Sequence, residues 1–164
     1  MLTHPTLEKL QAMRLTGMAK AFAEQLQLAD SEALSAEERI GLLVDREWLE
    51  RDNRRLTTRL RTAKLRHHAA VEDIDYRHPR GLDRALMAKL ATSAWLREHL
   101  NCVIVGPTGI GKSWLACALA HKACREGYRA LYVRVPQLFD ELHMVKADGR
   151  YRRLQLHRGR ARGQ

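Results

Sequence analysis

A chain of 164 residues has room for one ordinary domain, or for a helical appendage beside a small α/β domain, and is too short for a large multidomain enzyme. Its formal charge is +10, from 29 Lys and Arg against 19 Asp and Glu, and aromatic residues make up only 5%. That balance favours polyanionic partners, because each phosphate neutralised by a cation releases condensed counterions. Nucleic acid leads, and an acidic protein or an acidic membrane surface fits the same charge.

Cys102, Cys117 and Cys124 are odd in number, sit in apolar stretches and lack the short paired spacings of a zinc site. They are expected to be reduced core residues of a cytoplasmic protein. Met1 to Gly17 holds no apolar run of the signal-peptide kind, and no segment approaches the ~18 apolar residues that a membrane span needs, so no membrane partner is expected.

From Thr6 to about Ala70 there is no Pro, Gly17 is followed only by Gly41, and apolar residues recur at helical spacing. Leu7, Leu10 and Met13 begin one helix, Met18, Phe22, Leu26 and Leu28 a second, and Ile40, Leu43, Trp48 and Leu49 a third. Ser35 followed by Glu38 is a capping-box signal for the third helix. Within the same region Arg51, Arg54, Arg55, Arg59, Arg61, Lys64 and Arg66 stand against the single acid Asp52, while Leu56, Leu60 and Ala63 keep an apolar stripe. A balanced charge run would read as a solvated helix face; seven cations to one acid point to nucleic-acid contact. His67 and His68, adjacent on this helix, are expected to be exposed rather than metal-bound, since i and i+1 side chains do not face one another.

Asp73 to Tyr76 and His78-Pro79-Arg80-Gly81 read as an extended linker, and Leu82, Leu86, Met87 and Leu90 return to helical spacing. Asn101 to Val105 is a short β-branched run, Trp114 to Cys124 an apolar helix ended by Gly127, and Ala130 to Val135 a second strand candidate before Pro136. Strand, loop, helix and strand make a βαβ unit with a right-handed crossover and parallel strands. Trp48, Trp95 and Trp114 are assigned to cores or interfaces.

Between the first strand and the helix, Gly106-Pro107-Thr108-Gly109-Ile110-Gly111-Lys112-Ser113 fits G-x-x-x-x-G-K-[ST], the Walker A signature of a P-loop. Glycines at these positions permit a nest of inward-turned amides, and the helix that follows points its positive dipole end at the same anion. Lys112 is expected to reach the β- and γ-phosphates, and the Ser113 hydroxyl to ligate Mg2+, so the cofactor expected is Mg-ATP. Hydrolysis needs an acidic strand end as well. Only Leu138-Phe139-Asp140-Glu141 resembles one, and Pro136 together with the helical spacing of Val135, Leu138, Phe139 and Leu142 assigns Asp140 and Glu141 to the solvent face of a helix. Arg150 to Gln164 holds six arginines and no acid and reads as a disordered basic tail or as out-of-frame sequence at a broken end.

Several segments act together as a signature: Leu7-Glu8-Lys9-Leu10, Leu15-Thr16-Gly17-Met18-Ala19, the Arg-rich helix with Leu65, Glu72 to Tyr76, Gly81-Leu82-Asp83, Asn101 to Ser113, Val133 to Leu142, and Asp148 to Tyr151. In this combination the chain resembles the IstB-like ATPases, helpers of a transposase, which are similar in turn to the DnaC helicase loaders of the AAA+ class. The resemblance implies ATP binding, assembly on duplex DNA, delivery of a transposase to its target, and self-association. It also implies an acidic strand, a polar sensor residue and an arginine finger, none of which is found after Lys112; catalytic residues are therefore unknown, and a C-terminally truncated or frameshifted copy is expected. The fold expected is α/β, a helical region for DNA or a partner over 1–72, an incomplete P-loop parallel-sheet domain over 73–151, and a basic tail over 152–164. Two rival readings are a non-catalytic nucleotide- and DNA-binding remnant and a small-molecule kinase.

Overall fold

Pro5 opens the first helix, α1 (Pro5–Ala12), where its missing amide costs nothing, and His4 Nδ1 accepts from the Thr6 amide at 3.3 Å. The His4 ring then meets Phe22 edge to face, with centroids 5.3 Å apart, which ties α1 to α2 (Thr16–Gln27). The third helix, α3 (Ala36–Ala63), starts on the reciprocal cap expected from its sequence: Ser35 Oγ accepts from the Glu38 amide at 3.2 Å, and Glu38 Oε2 accepts from the Ser35 amide at 2.8 Å. The computed structural model describes residues 4–27, 34–77 and 81–147, which fall in two compact units, Met1–Thr58 and Arg59–Gln164.

One carboxylate organises the first unit. Glu47, on α3, is 6% exposed, and its Oε2 accepts from the amides of Gly17 at 2.8 Å and Met18 at 3.2 Å, two of the orphan donors at the start of α2. Its other oxygen, Oε1, accepts from Arg51 Nε at 2.7 Å. The backbones are nearly touching at this point: a Cβ on Gly17 would lie 2.7 Å from both Arg46 O and Glu47 Cα. Lys20 pairs with Glu50 at 2.7 Å and Gln25 Nε2 donates to Arg39 O at 3.1 Å, so α2 and α3 run antiparallel.

The second unit is built on α6 (Lys112–Arg125), which buries Leu115, Cys117, Ala118, Leu119, Ala123 and Cys124. Leu115 and Leu119 pack with Ile74 and with Met87 of α4 (Arg84–Ala91), while Cys117 and Ala118 pack with Ala69 and half-buried Tyr132. Asp83 Oδ1 caps α4 by accepting from the Ala85 amide at 2.7 Å. A short helix, α5 (Ala94–Arg97), follows, and Trp95 Nε1 donates to Leu90 O at 3.0 Å. At its far end α6 stops on Gly127 in a Schellman arrangement, with the Tyr128 amide on Ala123 O at 3.0 Å and the Gly127 amide on Cys124 O at 3.2 Å.

Among the described residues there is no β-strand. The expected α/β class, with its parallel βαβ unit and its P-loop or AAA+ sheet domain, is therefore overturned. Residues 101–105 and 130–134 run as irregular chain, and Val103 and Val105 are 79% and 86% exposed. The physical reason is that a strand exists only against another strand's amides, and two short parallel segments alone are too weak a pair to close. Tyr132 shows the alternative, since its amide donates to Ala63 O, at the end of α3, at 2.8 Å. The segment that follows, α7 (Val135–Ala147), is helical, as the spacing of Val135, Leu138, Phe139 and Leu142 requires.

The Gly17 contact leads to a first prediction. Gly17→Ala must push α2 off α3 and should cost about 1–3 kcal/mol in urea unfolding; an unchanged midpoint would show that the contact carries no strain. A second concerns pH. Burial opposes ionisation of Glu47, but the Arg51 hydrogen bond and the Met18 and Gly17 amides outweigh it and hold the carboxyl below its ordinary value of 4.5. A lowered folded-state value means that the stability it contributes is present above 4.5 and is lost as pH falls through the folded value. Urea midpoints measured from neutral pH into this acid range should fall more steeply for the native protein than for Glu47→Gln.

Candidate functional site

The loop Gly106–Ser113 leads directly into α6, and the buried face of that helix fixes its direction. Gly109 and Gly111 have φ of +86° and +94°, a region closed to most side chains, and Gly111 is the residue from which α6 starts. The Leu115 amide is the one that closes back onto Gly111 O, at 2.9 Å, which leaves the amides before it pointing out of the helix end. Ser113 is exposed on the first turn. A convergence of amide donors, a helix dipole and an ammonium group suits an anion.

Lys112 does not extend into solvent. Its Nζ donates to Gly106 O at 2.8 Å and to Pro107 O at 2.6 Å, so the ammonium is held by the carbonyls of its own loop. The loop is thus closed on the lysine, and a phosphate must compete with two carbonyl oxygens for it. The signature is present in the sequence, but the strand-flanked setting that the terms P-loop, Walker A and AAA+ describe is absent from the described residues. The expected P-loop, Walker A and AAA+ architecture is therefore overturned together with the sheet.

The Ser113 hydroxyl, expected from the sequence to ligate magnesium, lies in an exposed residue of the helix's first turn. Among the described residues no cluster of three or more His, Cys, Asp or Glu side chains is placed to hold a metal ion. Asp140 is exposed on α7, in keeping with its assignment to a helix rather than to a strand end.

The basic run divides into side chains bound within the protein and side chains that face out. In the first unit Arg51 Nε is bound to Glu47, and Arg54 Nη2 donates to Thr16 Oγ1 at 2.9 Å. In the second, half-buried Arg59 donates from Nε to Cys124 O at 2.8 Å, at the carbonyl end of α6, where a cation is favoured. Arg55, Arg61, Lys64 and Arg66 are exposed. Sequence spacing could not reveal this division, because the acceptor for Arg59 is a backbone carbonyl 65 residues away.

Cys117 and Cys124 are fully buried, and burial pushes the Cys124 thiol above its ordinary value, against a backbone hydrogen bond from Ala130 and the charge of Arg59. Cys102 departs from the expectation and is exposed. His68 is exposed and His67 half-buried, and Trp48, expected in a core or an interface, is 73% exposed. Arg150 to Gln164 lies outside the described residues. No helix among the described residues is long and apolar enough to cross a membrane.

Comparison with known proteins gives a family match: the model described as IstB-like ATP binding protein matches residues 8–160. The chain is 59% identical, over 155 residues, to a Sinorhizobium fredii protein named as an insertion sequence ATP-binding protein, covering 94% of this chain and 63% of the relative. It is 48% identical to the ATP-binding protein named for insertion sequence IS1162 of Pseudomonas fluorescens, covering 93% and 67%. To the one named for insertion sequence IS21 of Pseudomonas aeruginosa it is 30% identical, covering 90% and 54%. The chain therefore spans only about half to two-thirds of the length of these relatives.

The division of the arginines is testable. Arg59→Ala should lower unfolding free energy by about 1.5–3 kcal/mol, the range for a hydrogen bond made by a charged group, whereas Arg55→Ala should change it by less than about 0.5 kcal/mol. Equal effects of the two substitutions in chemical denaturation would contradict the assignment.

Proposed function

The chain belongs to the family of IstB-like ATP binding proteins, and from that premise we propose that it holds the phosphates of ATP at Gly106–Ser113 and binds duplex DNA, without turning the nucleotide over. The observation that carries this reading is the glycine loop itself: Gly109 and Gly111 in the left-handed region, opening a helix whose far face is locked in a core. Gly106, Thr108, Gly109, Ile110 and Gly111 supply backbone donors, and Pro107, which has no amide hydrogen, helps to set the turn. Lys112, released from Gly106 O and Pro107 O, supplies the ammonium, and Ser113 the hydroxyl for Mg2+. The metal, when bound, neutralises phosphate charge.

Binding without turnover is favoured by the absence of any strand among the described residues, since the acidic group that holds magnesium and orients water sits at a strand end in hydrolysing relatives of this chemistry. DNA contact is assigned to the outward-facing members of the basic run, Arg55, Arg61, Lys64 and Arg66, with Arg51 and Arg54 contributing charge from their bound positions. Arg59, half-buried at the end of α6, contributes long-range potential rather than a contact. In a transposition system the chain would bring nucleotide-dependent DNA binding to a transposase.

Titration calorimetry of the full chain with Mg-ATP should show uptake that falls about 10- to 100-fold on Lys112→Ala, the loss of one charged hydrogen-bonding group. ATP turnover above background that disappears in Lys112→Ala would instead establish the catalytic reading. For DNA, replacing Arg55, Arg61 and Arg66 with Ala should weaken duplex binding and reduce the slope of log K against log salt by roughly 2–3. An unchanged slope would remove the basic run from the DNA interface.

A further inference from the structure

Two basic stretches from distant parts of the sequence meet on the second unit. Residues 59–66 hold Arg59, Arg61, Lys64 and Arg66, residues 128–139 hold Arg129 and Arg134, and neither stretch contains an Asp or a Glu. The Tyr132 amide donates to Ala63 O at 2.8 Å, so the middle of the second stretch lies against the end of α3. Leu65 and Tyr132 both pack on buried Cys117 and Ala118, which holds the two segments to the same part of α6. Arg59, half-buried, adds to the clamp by donating to Cys124 O.

The other cations of the two stretches, Arg61, Lys64, Arg66, Arg129 and Arg134, are exposed, and none of them takes part in an ion pair among the described residues. Each stands within three positions of Ala63 or Tyr132, the residues that bridge the two segments. Like charges gathered without acids repel one another, a cost that a bound polyanion removes. Lys64 carries a second cost. Its φ is +49°, in the left-handed region where a Cβ is crowded and where a helix commonly ends on glycine instead. Backbone strain and crowded like charge in one place are tolerated where binding requires them.

We infer that this crossing, where the end of α3 meets residues 129–134, contacts the phosphate backbone of duplex DNA, and that Arg129 and Arg134 take part beside Arg61, Lys64 and Arg66. The inference rests on the reading that the chain binds duplex DNA and adds two arginines to it. The contact becomes a patch across two chain segments rather than a stripe along one helix. All its cations but Lys64 are arginines, whose guanidinium forks fit phosphate oxygens. A duplex presents one charge about every 1.7 Å of its axis, dense enough to engage the whole patch, whereas the carboxylates of an acidic protein are seldom set so closely.

The test is fluorescence anisotropy of a labelled duplex with the full 164-residue chain across a salt series, with far-UV circular dichroism confirming that each variant keeps its helix content. A variant carrying both Arg129→Ala and Arg134→Ala should bind about tenfold more weakly at about 0.1 M salt, and its slope of log K against log salt should be smaller by about 1–2, one phosphate contact for each arginine. Removing one charge from α4 instead, by Lys89→Ala, should change the slope by less than about 0.5. Lys64→Gly separates binding from folding. Glycine relieves the left-handed strain, so the urea midpoint should hold or rise while DNA affinity falls, an outcome that a purely structural lysine would not give. If the native chain binds no duplex at any salt, the DNA reading falls and this assignment with it. If the native chain binds but the double variant keeps its slope, or Lys64→Gly binds as the native chain does, the patch alone is overturned.

Discussion

Everything placed in the second unit depends on the buried face of α6. Leu115 and Leu119 fill one cluster, and at about 1.5–3 kcal/mol for each large side chain fully removed from water they supply much of its attraction. Cys117 and Ala118 add little area but are small enough for the Leu65 to Val71 chain to approach closely, and both are fully buried. With that face fixed, neither end of the helix can wander. The carbonyl end is closed by Gly127 and by Arg59, and the amide end opens at Gly111 into the glycine loop.

The consequence for the site is a loop anchored by a buried helix on one side and by little apolar burial on the other. On the helix side the donors are set by α6, whereas Asn101 to Val105 on the other side is held by half-buried Ile104 alone among its apolar residues, with Val103 and Val105 in solvent. Lys112 closes the loop by binding Gly106 O and Pro107 O, which satisfies the ammonium without any ligand. An anion at this loop would therefore have to compete with two carbonyls for one cation.

Glu47 illustrates the same economy of charge in the first unit. Taking a carboxylate out of water is costly, and it is tolerated because two amides and one guanidinium converge on it. Those donors come from the start of α2 and from one turn further along α3, so a single residue joins two helices whose backbones touch at Gly17. Arg51, Arg54 and Arg59 look from their spacing like one continuous basic face with Arg55, Arg61 and Arg66. Each of the first three instead donates to an acceptor of the chain itself, Arg51 and Arg54 while remaining exposed and Arg59 from a half-buried position.

What could be read from residue order is what depends on neighbours a few positions away. The Ser35 and Glu38 cap, the stop at Gly127, the helical spacing from Val135 to Leu142 and the family signature all belong to that kind, because helix bonds and caps close within about one turn. The glycine loop is legible for the same reason, as a pattern of allowed backbone angles. The strand expectation fails because β-branched composition expresses only a willingness to pair, and the partner must come from elsewhere in the chain; at Tyr132 the amide donates to Ala63 O instead. The burial of Glu47, the bond of Arg59 to Cys124 O and the exposure of Trp48 likewise follow from contacts across tens of residues, to which local spacing carries no information. Short-range geometry is written in the order of the residues, while acceptors and neighbours brought together from a distance exist only once the helices have packed.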